Sequence, residues 1–335
     1  MISIKDIAKA IGASPSTVSI VLNGKAKQKR ISDSLASRIV AKATEMGYHP
    51  NRVAVGLRTG KSKTIGLIVE NISNNFFSSL AKTIEDEVRK YGYNVVYCST
   101  ENDAVKGGEM IQMLYNQQVD GYLITPASGM EADIKNLLAK NKPVVLMDRY
   151  FTDFTVPYVV VDNYLGMKEG VEYLIQSGFT KIGFVTVDIN LLQIEERKRA
   201  YEDALREHNL VVDKKNILQV NYSNEKKDTV KLMSKFLSER KNLEVVVFAT
   251  NYLGIYGLQC LKELHLTVPN DIHIMCFDDH DIFELFSPGI TVIKQPIGDI
   301  AMNAVRLLID ELEHPDTVEN SQVILKTQII FRESV

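Results

Sequence analysis

Cysteine is scarce in this chain, and long apolar runs are missing. The 335 residues hold three cysteines, Cys98, Cys260 and Cys276, scattered and odd in number. Neither a disulfide framework nor a Cys-rich metal site fits that count, so buried free thiols are expected. The six histidines show no ligand spacing, and no metal site is expected. No stretch of about 18 apolar residues occurs, which argues against a spanning helix. The N-terminus opens on a polar, capped helix instead of an apolar leader, so the chain is expected to stay in the cytoplasm, away from membranes. A nucleophile elbow and a dinucleotide glycine fingerprint are also missing. Asp278-Asp279-His280-Asp281 could be offered as an acid/base or metal cluster, but consecutive loop residues point in divergent directions. Gly60-Lys61-Ser62 matches only the tail of a phosphate-binding loop, since Val55 stands where its first glycine belongs. No catalytic residue, no cofactor and no enzymatic activity are expected.

What the chain does have is an uneven charge. Residues 1–61 carry eleven Lys and Arg against three Asp and Glu, a net +8, which leaves −11 on the rest of a chain whose total is −3. A basic module on an acidic body suits binding to a phosphate backbone. Within the basic module, Ile4, Ile7, Ala8 and Ile11 recur at the spacing of one buried helical face, and Ser3 with Asp6 forms a capping-box-like start. Gly12-Ala13 breaks that helix. Ser14 caps a second one, Pro15 suits its first position, and Val18, Val21 and Leu22 form its apolar stripe. Ser16, Ser19, Ile20 and Asn23 fall on the opposite face, toward a partner. A third helix from Ser32 repeats Leu35, Ile39, Ala43 and Met46 toward the same small core. Two short helices joined by a glycine turn and braced by a third describe a helix-turn-helix reader of double-stranded DNA. A small helical dimerisation or adaptor module is the blander reading.

After Gly47-Tyr48-His49-Pro50, a short segment capped by Asn51 and tipped by Leu57 reads either as a hinge that folds in a DNA minor groove or as a plain linker. From Thr64 onward, short apolar strands alternate with amphipathic helices. This pattern predicts an α/β core of parallel sheets, and roughly ten strands in about 270 residues divide better into two sheets than one. Ligands in such folds gather at the carboxyl ends of strands. There the sequence places Asn71 to Phe77, Thr125, Asp148-Arg149, Asp162-Asn163, Thr186 to Asp188, Thr250-Asn251 and Asp278-Asp279, with Tyr252 adjacent. Carboxylates, amides and an arginine beside aromatic rings suit a small polyhydroxylated ligand. The alternative for each residue is a strand end that is polar because it meets water.

From end to end the chain resembles the lactose-repressor and galactose-repressor family of bacterial transcription regulators. The resemblance is carried by Ser3-Ile4-Lys5-Asp6-Ile7-Ala8, Ser16-Thr17-Val18-Ser19, Val21-Leu22-Asn23-Gly24, Gly47-Tyr48-His49-Pro50-Asn51 and Leu57-Arg58-Thr59-Gly60. In the body it continues through Thr64-Ile65-Gly66-Leu67-Ile68, Asn71-Ile72-Ser73-Asn74, Val161-Asp162-Asn163, Phe277-Asp278-Asp279, Gln295-Pro296 and Phe331-Arg332-Glu333-Ser334.

The resemblance implies a multidomain protein: an all-α helix-turn-helix domain (1–49), a hinge helix and linker (50–61), and a periplasmic-binding-protein-like α/β core (62–335). It implies two parallel-sheet subdomains, one of about 62–161 and 292–319, the other of about 162–291 and 320–335. It also implies a homodimer on a roughly palindromic operator, acting as a repressor under allosteric control by a sugar or sugar derivative. The matching DNA-binding positions are Ser3, Pro15, Ser16, Thr17, Ser19, Ile20, Asn23, Asn51, Ala54 and Leu57. Of these, Pro15, Ser16 and Ile20 are implied at base edges, Ser19 and Asn23 on phosphate, and Ala54 and Leu57 in the minor groove. The effector positions are Phe76, Phe77, Asp148, Arg149, Asp162, Arg197, Asn251, Tyr252 and Asp278. Three residues depart from the family's habit: Ile20 replaces an arginine that reads guanine, Asn75 replaces a proline, and Tyr252 replaces an aspartate. A solute-binding protein of a transport system would share the core but has no use for residues 1–61.

Overall fold

The structure is a computed structural model that describes residues 2–48, 60–314 and 321–335. Contacts divide it into two units, Met1–Ser62 and Lys63–Val335.

The first unit holds helices α1 (Ile4–Ile11), α2 (Pro15–Leu22) and α3 (Asp33–Glu45). The α1 capping box forms as the sequence predicts: Asp6 N donates to Ser3 Oγ at 3.3 Å, and Ser3 N donates to Asp6 Oδ2 at 2.9 Å. Gly12 ends α1 at φ +74°, a left-handed conformation that a β-carbon would strain. Ser14 accepts from Thr17 N at the start of α2, and Ser32 accepts from Leu35 N at the start of α3. Ile7, Ala8, Val18, Val21, Ile39 and Ala43 are buried together, the small core that the apolar spacing predicts.

The second unit contains two six-stranded sheets. Its strands are β1 (Thr64–Val69), β2 (Asn94–Ser99), β3 (Gly121–Ile124), β4 (Val144–Met147), β5 (Tyr158–Val161) and β6 (Ile182–Asp188). They continue as β7 (Ile217–Asn221), β8 (Val245–Phe248), β9 (His273–Phe277), β10 (Thr291–Lys294), β11 (Gln322–Leu325) and β12 (Gln328–Ile330). The first sheet runs β11-β5-β4-β3-β1-β2, every pair parallel. The second runs β12-β10-β9-β8-β6-β7, parallel except for the antiparallel β10–β12 edge.

Each sheet is covered on both faces, because successive side chains of a strand point to opposite sides. Ile65, Leu67 and Val69 of β1 pack with Ala304 and Leu308 of the helix Ile297–Glu313, whereas Ile68 packs with Leu114 and Tyr122. Gly66 lets the helix Ala104–Asn116 lie close, since a β-carbon there would sit 2.8 Å from Leu114 Cδ1.

Among the described residues the chain passes between the sheets three times. The first passage follows Val161, at the end of β5. The second falls between Lys294 and Ile297, not at 291/292, because β10 pairs with β9 of the second sheet. The third falls between Leu325 and Gln328, not at 319/320, because β11 pairs with β5 of the first sheet. In both sheets the strand order reverses beside the first strand, between β1 and β3 and between β6 and β8. Ligands of such folds settle at those points. No helix among the described residues is long and apolar enough to cross a membrane.

Candidate functional site

The carboxyl ends of the two sheets face one another across a cleft with an inner chamber of about 60 Å³. From the first sheet come Glu70, Phe76 and Phe77 behind β1, and Asp148 and Arg149 behind β4. From the second come Gln193 and Arg197 behind β6, Thr250 to Tyr252 behind β8, Asp278 behind β9, and Gln295 behind β10.

Two buried arginines are braced in the chamber, Arg197 and Arg149. Arg197 comes from the second sheet. It is 3% exposed, donates from Nε to Asn163 Oδ1 at 2.9 Å and from Nη1 to the Ala249 carbonyl at 2.8 Å, and stacks 3.6 Å from the Phe277 centroid. Its Nη1 also lies 3.8 Å from Asp278 Oδ2. Nη2 makes no hydrogen bond among the described residues. Burial lowers the guanidinium's proton affinity, with Asp278 and Asp148 opposing. Arg149 donates to Asn102 Oδ1 at 2.6 Å and pairs with Glu70 and Asp148. Burial works against its charge too, but those two carboxylates outweigh it and raise its pKa.

Burial pushes the Asp148 carboxyl up against the pull of Arg149 and Arg197. It likewise pushes Asp278 up against Arg197 and Gln295. Gln295 Nε2 donates to Asp278 Oδ1 at 2.6 Å, and Gln193 Nε2 lies 3.4 Å from Asp148 Oδ2. Each amide therefore turns its NH2 group to a carboxylate. Their oxygens, Gln193 Oε1 and Gln295 Oε1, are buried with no partner among the described residues. A buried acceptor left unpaired costs about 1–3 kcal/mol. The chamber thus offers the two amide oxygens, the Thr250 hydroxyl and Asn102 amide nitrogen, likewise unpartnered among the described residues, and one guanidinium nitrogen, Arg197 Nη2, a set that matches a hydroxylated ligand.

Of the effector positions expected from sequence, Phe76, Phe77, Asp148, Arg149, Arg197, Asn251, Tyr252 and Asp278 line this chamber. Asp162 does not. Its carboxylate accepts from Leu165 N at 2.8 Å and caps the helix Asn163–Gln176. Its neighbour Asn163 is the one that reaches inward, to Arg197. Glu70, Asn102, Gln193, Tyr222 and Gln295 also line the chamber, and sequence reasoning did not select them. Glu70, Tyr222 and Gln295 directly follow strands, so the strand-end rule could have found them.

In the first unit, Pro15 and Ser16 are exposed and Thr17 is half-buried, while Ser19 and Ile20 are half-buried on the side of α2 opposite Val18 and Val21. Four of the expected DNA contacts, Ser3, Thr17, Ser19 and Asn23, already have intramolecular side-chain hydrogen bonds. Ser3 Oγ bonds Asp6, and the Asn23 amide donates to Ser19 O at 2.6 Å. Asn51, Ala54 and Leu57 lie outside the described residues.

Two family descriptions match the chain: bacterial regulatory proteins, lacI family, over residues 3–51, and periplasmic binding protein-like domain over 171–335. The transcriptional regulator KdgR of Bacillus subtilis is 31% identical over 343 residues, covering 99% of this chain and 97% of that protein. The chain belongs to the lacI family of bacterial regulatory proteins. It is a DNA-binding transcriptional regulator. The ribose operon repressor of Haemophilus influenzae is 29% identical over 337 residues, covering 100% of this chain and 99% of its own. Among solved structures, a periplasmic binding protein/LacI transcriptional regulator from Alkaliphilus metalliredigens, complexed with D-xylulofuranose, is 25% identical. It superposes with a TM-score of 0.72 over 82% of this chain and 99% of that one.

Proposed function

We propose that this lacI-family regulator is a homodimeric repressor whose affinity for a roughly palindromic operator is set by a small carbohydrate or related metabolite enclosed between the halves of its core. The inner chamber carries this reading, because its buried polar atoms exceed what the protein itself satisfies. A hydroxyl that donates to Gln193 Oε1 or Gln295 Oε1, with a neighbour accepting from Arg197 Nη2, removes that deficit. The sugar held by the solved relative and the operon named for the Haemophilus repressor support the same class.

On the DNA side, Pro15, Ser16 and Ile20 meet base edges. Ser19 and Asn23 meet phosphate, Ser3, Thr17 and Asn51 also contact the DNA, and Ala54 and Leu57 enter the minor groove. Ile20 cannot donate to guanine and packs on a thymine methyl, so the half-site differs from that of relatives with arginine there. Closure around the ligand shifts the first-sheet halves of the dimer and changes the spacing of segments 50–61 on the operator.

Two measurements on the purified full chain test this. Genomic site selection followed by duplex titration should show sequence-specific binding that weakens steeply with salt, and calorimetry against pentoses and hexoses should show saturable binding. A chain that binds no sugar, or binds DNA without salt dependence, would contradict the reading.

A further inference from the structure

The cleft does not end at the inner chamber. A second chamber of about 380 Å³ opens beyond it, between Asn71, Ser73 and Asn75 on one side and Tyr252, Ile255 and Tyr256 on the other. Glu70, Asn74, Tyr222, Asn251 and Tyr252 line both chambers. The wall between them is built from side chains that meet across the cleft. Asn251 Nδ2 donates to Asn74 Oδ1 at 3.2 Å, Asn74 Nδ2 lies 3.5 Å from Asn251 Oδ1, and Tyr222 Oη donates to Glu70 Oε1 at 3.1 Å. Long bonds between amides contribute only about 0.5–1.5 kcal/mol each, and a ligand's hydroxyls can replace them in kind.

The two chambers differ in chemistry. The inner one carries both guanidinium groups and the buried aspartates. The outer one carries amides and a tyrosine wall, Tyr252 and Tyr256 meeting edge-on at 5.7 Å between centroids. Apart from its tyrosines, its titratable lining groups are Glu70 and His280. Glu70 is already committed to Arg149 and Tyr222, and His280 Nδ1 accepts from Ile282 N. A neutral ring with an apolar face and a hydroxylated rim fits that lining.

We infer that the two chambers form one elongated site, and that the effector is a neutral disaccharide or comparable glycoside, one ring held by Arg197, Gln193 and Gln295, the other lying on Tyr252 and Tyr256. This rests on the proposal that the core takes a carbohydrate. It makes Tyr256 a specificity residue, since Tyr256 lines only the outer chamber.

Calorimetry on the full chain can test it, with glucose, galactose and xylose run beside cellobiose, maltose, lactose, melibiose and xylobiose. At least one disaccharide should bind about tenfold or more tighter than its component monosaccharides. Tyr256→Ala should erase that margin and leave monosaccharide affinity unchanged. Ser73→Trp, at an exposed loop position, fills the outer chamber without touching a core and should do the same. Monosaccharides that bind as tightly as every disaccharide, or a margin that survives both substitutions, would overturn the elongated site while leaving the inner one standing. If no sugar of either size binds, the carbohydrate reading fails as well.

Discussion

The two units of this regulator present polar atoms to their partners in opposite ways. In the DNA-binding unit the presenting face of α2 is exposed or half-buried, on a scaffold whose apolar core is six buried residues. Its helix starts are held by hydrogen bonds of Ser3, Ser14 and Ser32. In the cleft the presenting groups are buried: Arg197 and Gln295 are 3% exposed, and Gln193 is 6% exposed. An exposed hydroxyl keeps its water and is inexpensive to leave idle. A buried amide oxygen is not. The α2 face therefore costs little when unpartnered, while the cleft carries buried acceptors with no partner among the described residues.

Breaking the cleft should have the largest effect. Arg197→Ala strands Asn163, the Ala249 carbonyl and Asp278, and removing one partner of such a buried network costs about 3–5 kcal/mol. Urea unfolding should register that loss, and sugar binding should vanish, while sugar-free operator affinity stays within about twofold. Next comes the small core. Ile39→Ala in α3 empties a fully buried position and should cost about 2–5 kcal/mol. The operator complex should disappear in an anisotropy titration while calorimetric sugar affinity is preserved.

A third test uses pH, where the two units tilt in opposite directions. Burial raises the Glu311 carboxyl from an ordinary 4.5 to about 7, with the Val144 backbone N–H opposing. A raised acid contributes stability that is fully present below 4.5 and is lost as pH rises through about 7. Glu311→Gln should flatten the core's thermal stability across that window, by an amount on the order of 2 kcal/mol. Asp6 behaves the other way. Its backbone and side-chain hydrogen bonds with Ser3 hold its carboxyl below the ordinary 3.8, so that contribution is present above 3.8 and is lost as pH falls through the folded value. The smallest effect should come from Ser3→Ala, which removes the α1 cap. About 1 kcal/mol of stability should go from the DNA unit alone, visible as an earlier first transition in differential scanning calorimetry.

The two regions were also unequally legible in the sequence. The first unit could be read almost residue by residue, because helix caps and a 3.6-residue stripe are local. Ser3, Gly12, Ser14 and Ser32 each do in the structure what their neighbours predict. In the core, the alternation of strands and helices pointed to two parallel sheets, but which sheet claims a short edge strand depends on pairing partners far away in the chain. That is why β10 and β11 lie on the opposite sides of their expected crossings. Asp162 has the right residue type at the right strand end, yet it spends its carboxylate on a helix cap. Gln193 reaches the cleft from a helix start, and only the packing of one half against the other brings it there. Of the second chamber's lining, the strand-end rule names Asn71, Ser73, Asn74, Asn75, Asn251 and Tyr252, but not Tyr222, Ile255 or Tyr256.

The central claim is that the cleft and the DNA unit, unlike as they are, share one equilibrium. The direct measurement is operator affinity of the full chain, by fluorescence anisotropy, with and without a saturating sugar identified by calorimetry, repeated for Arg197→Ala. A coupling of about 1–3 kcal/mol predicts a change of roughly 5- to 150-fold in operator Kd, absent in the variant. A sugar that saturates the cleft and leaves operator Kd unchanged would contradict the account.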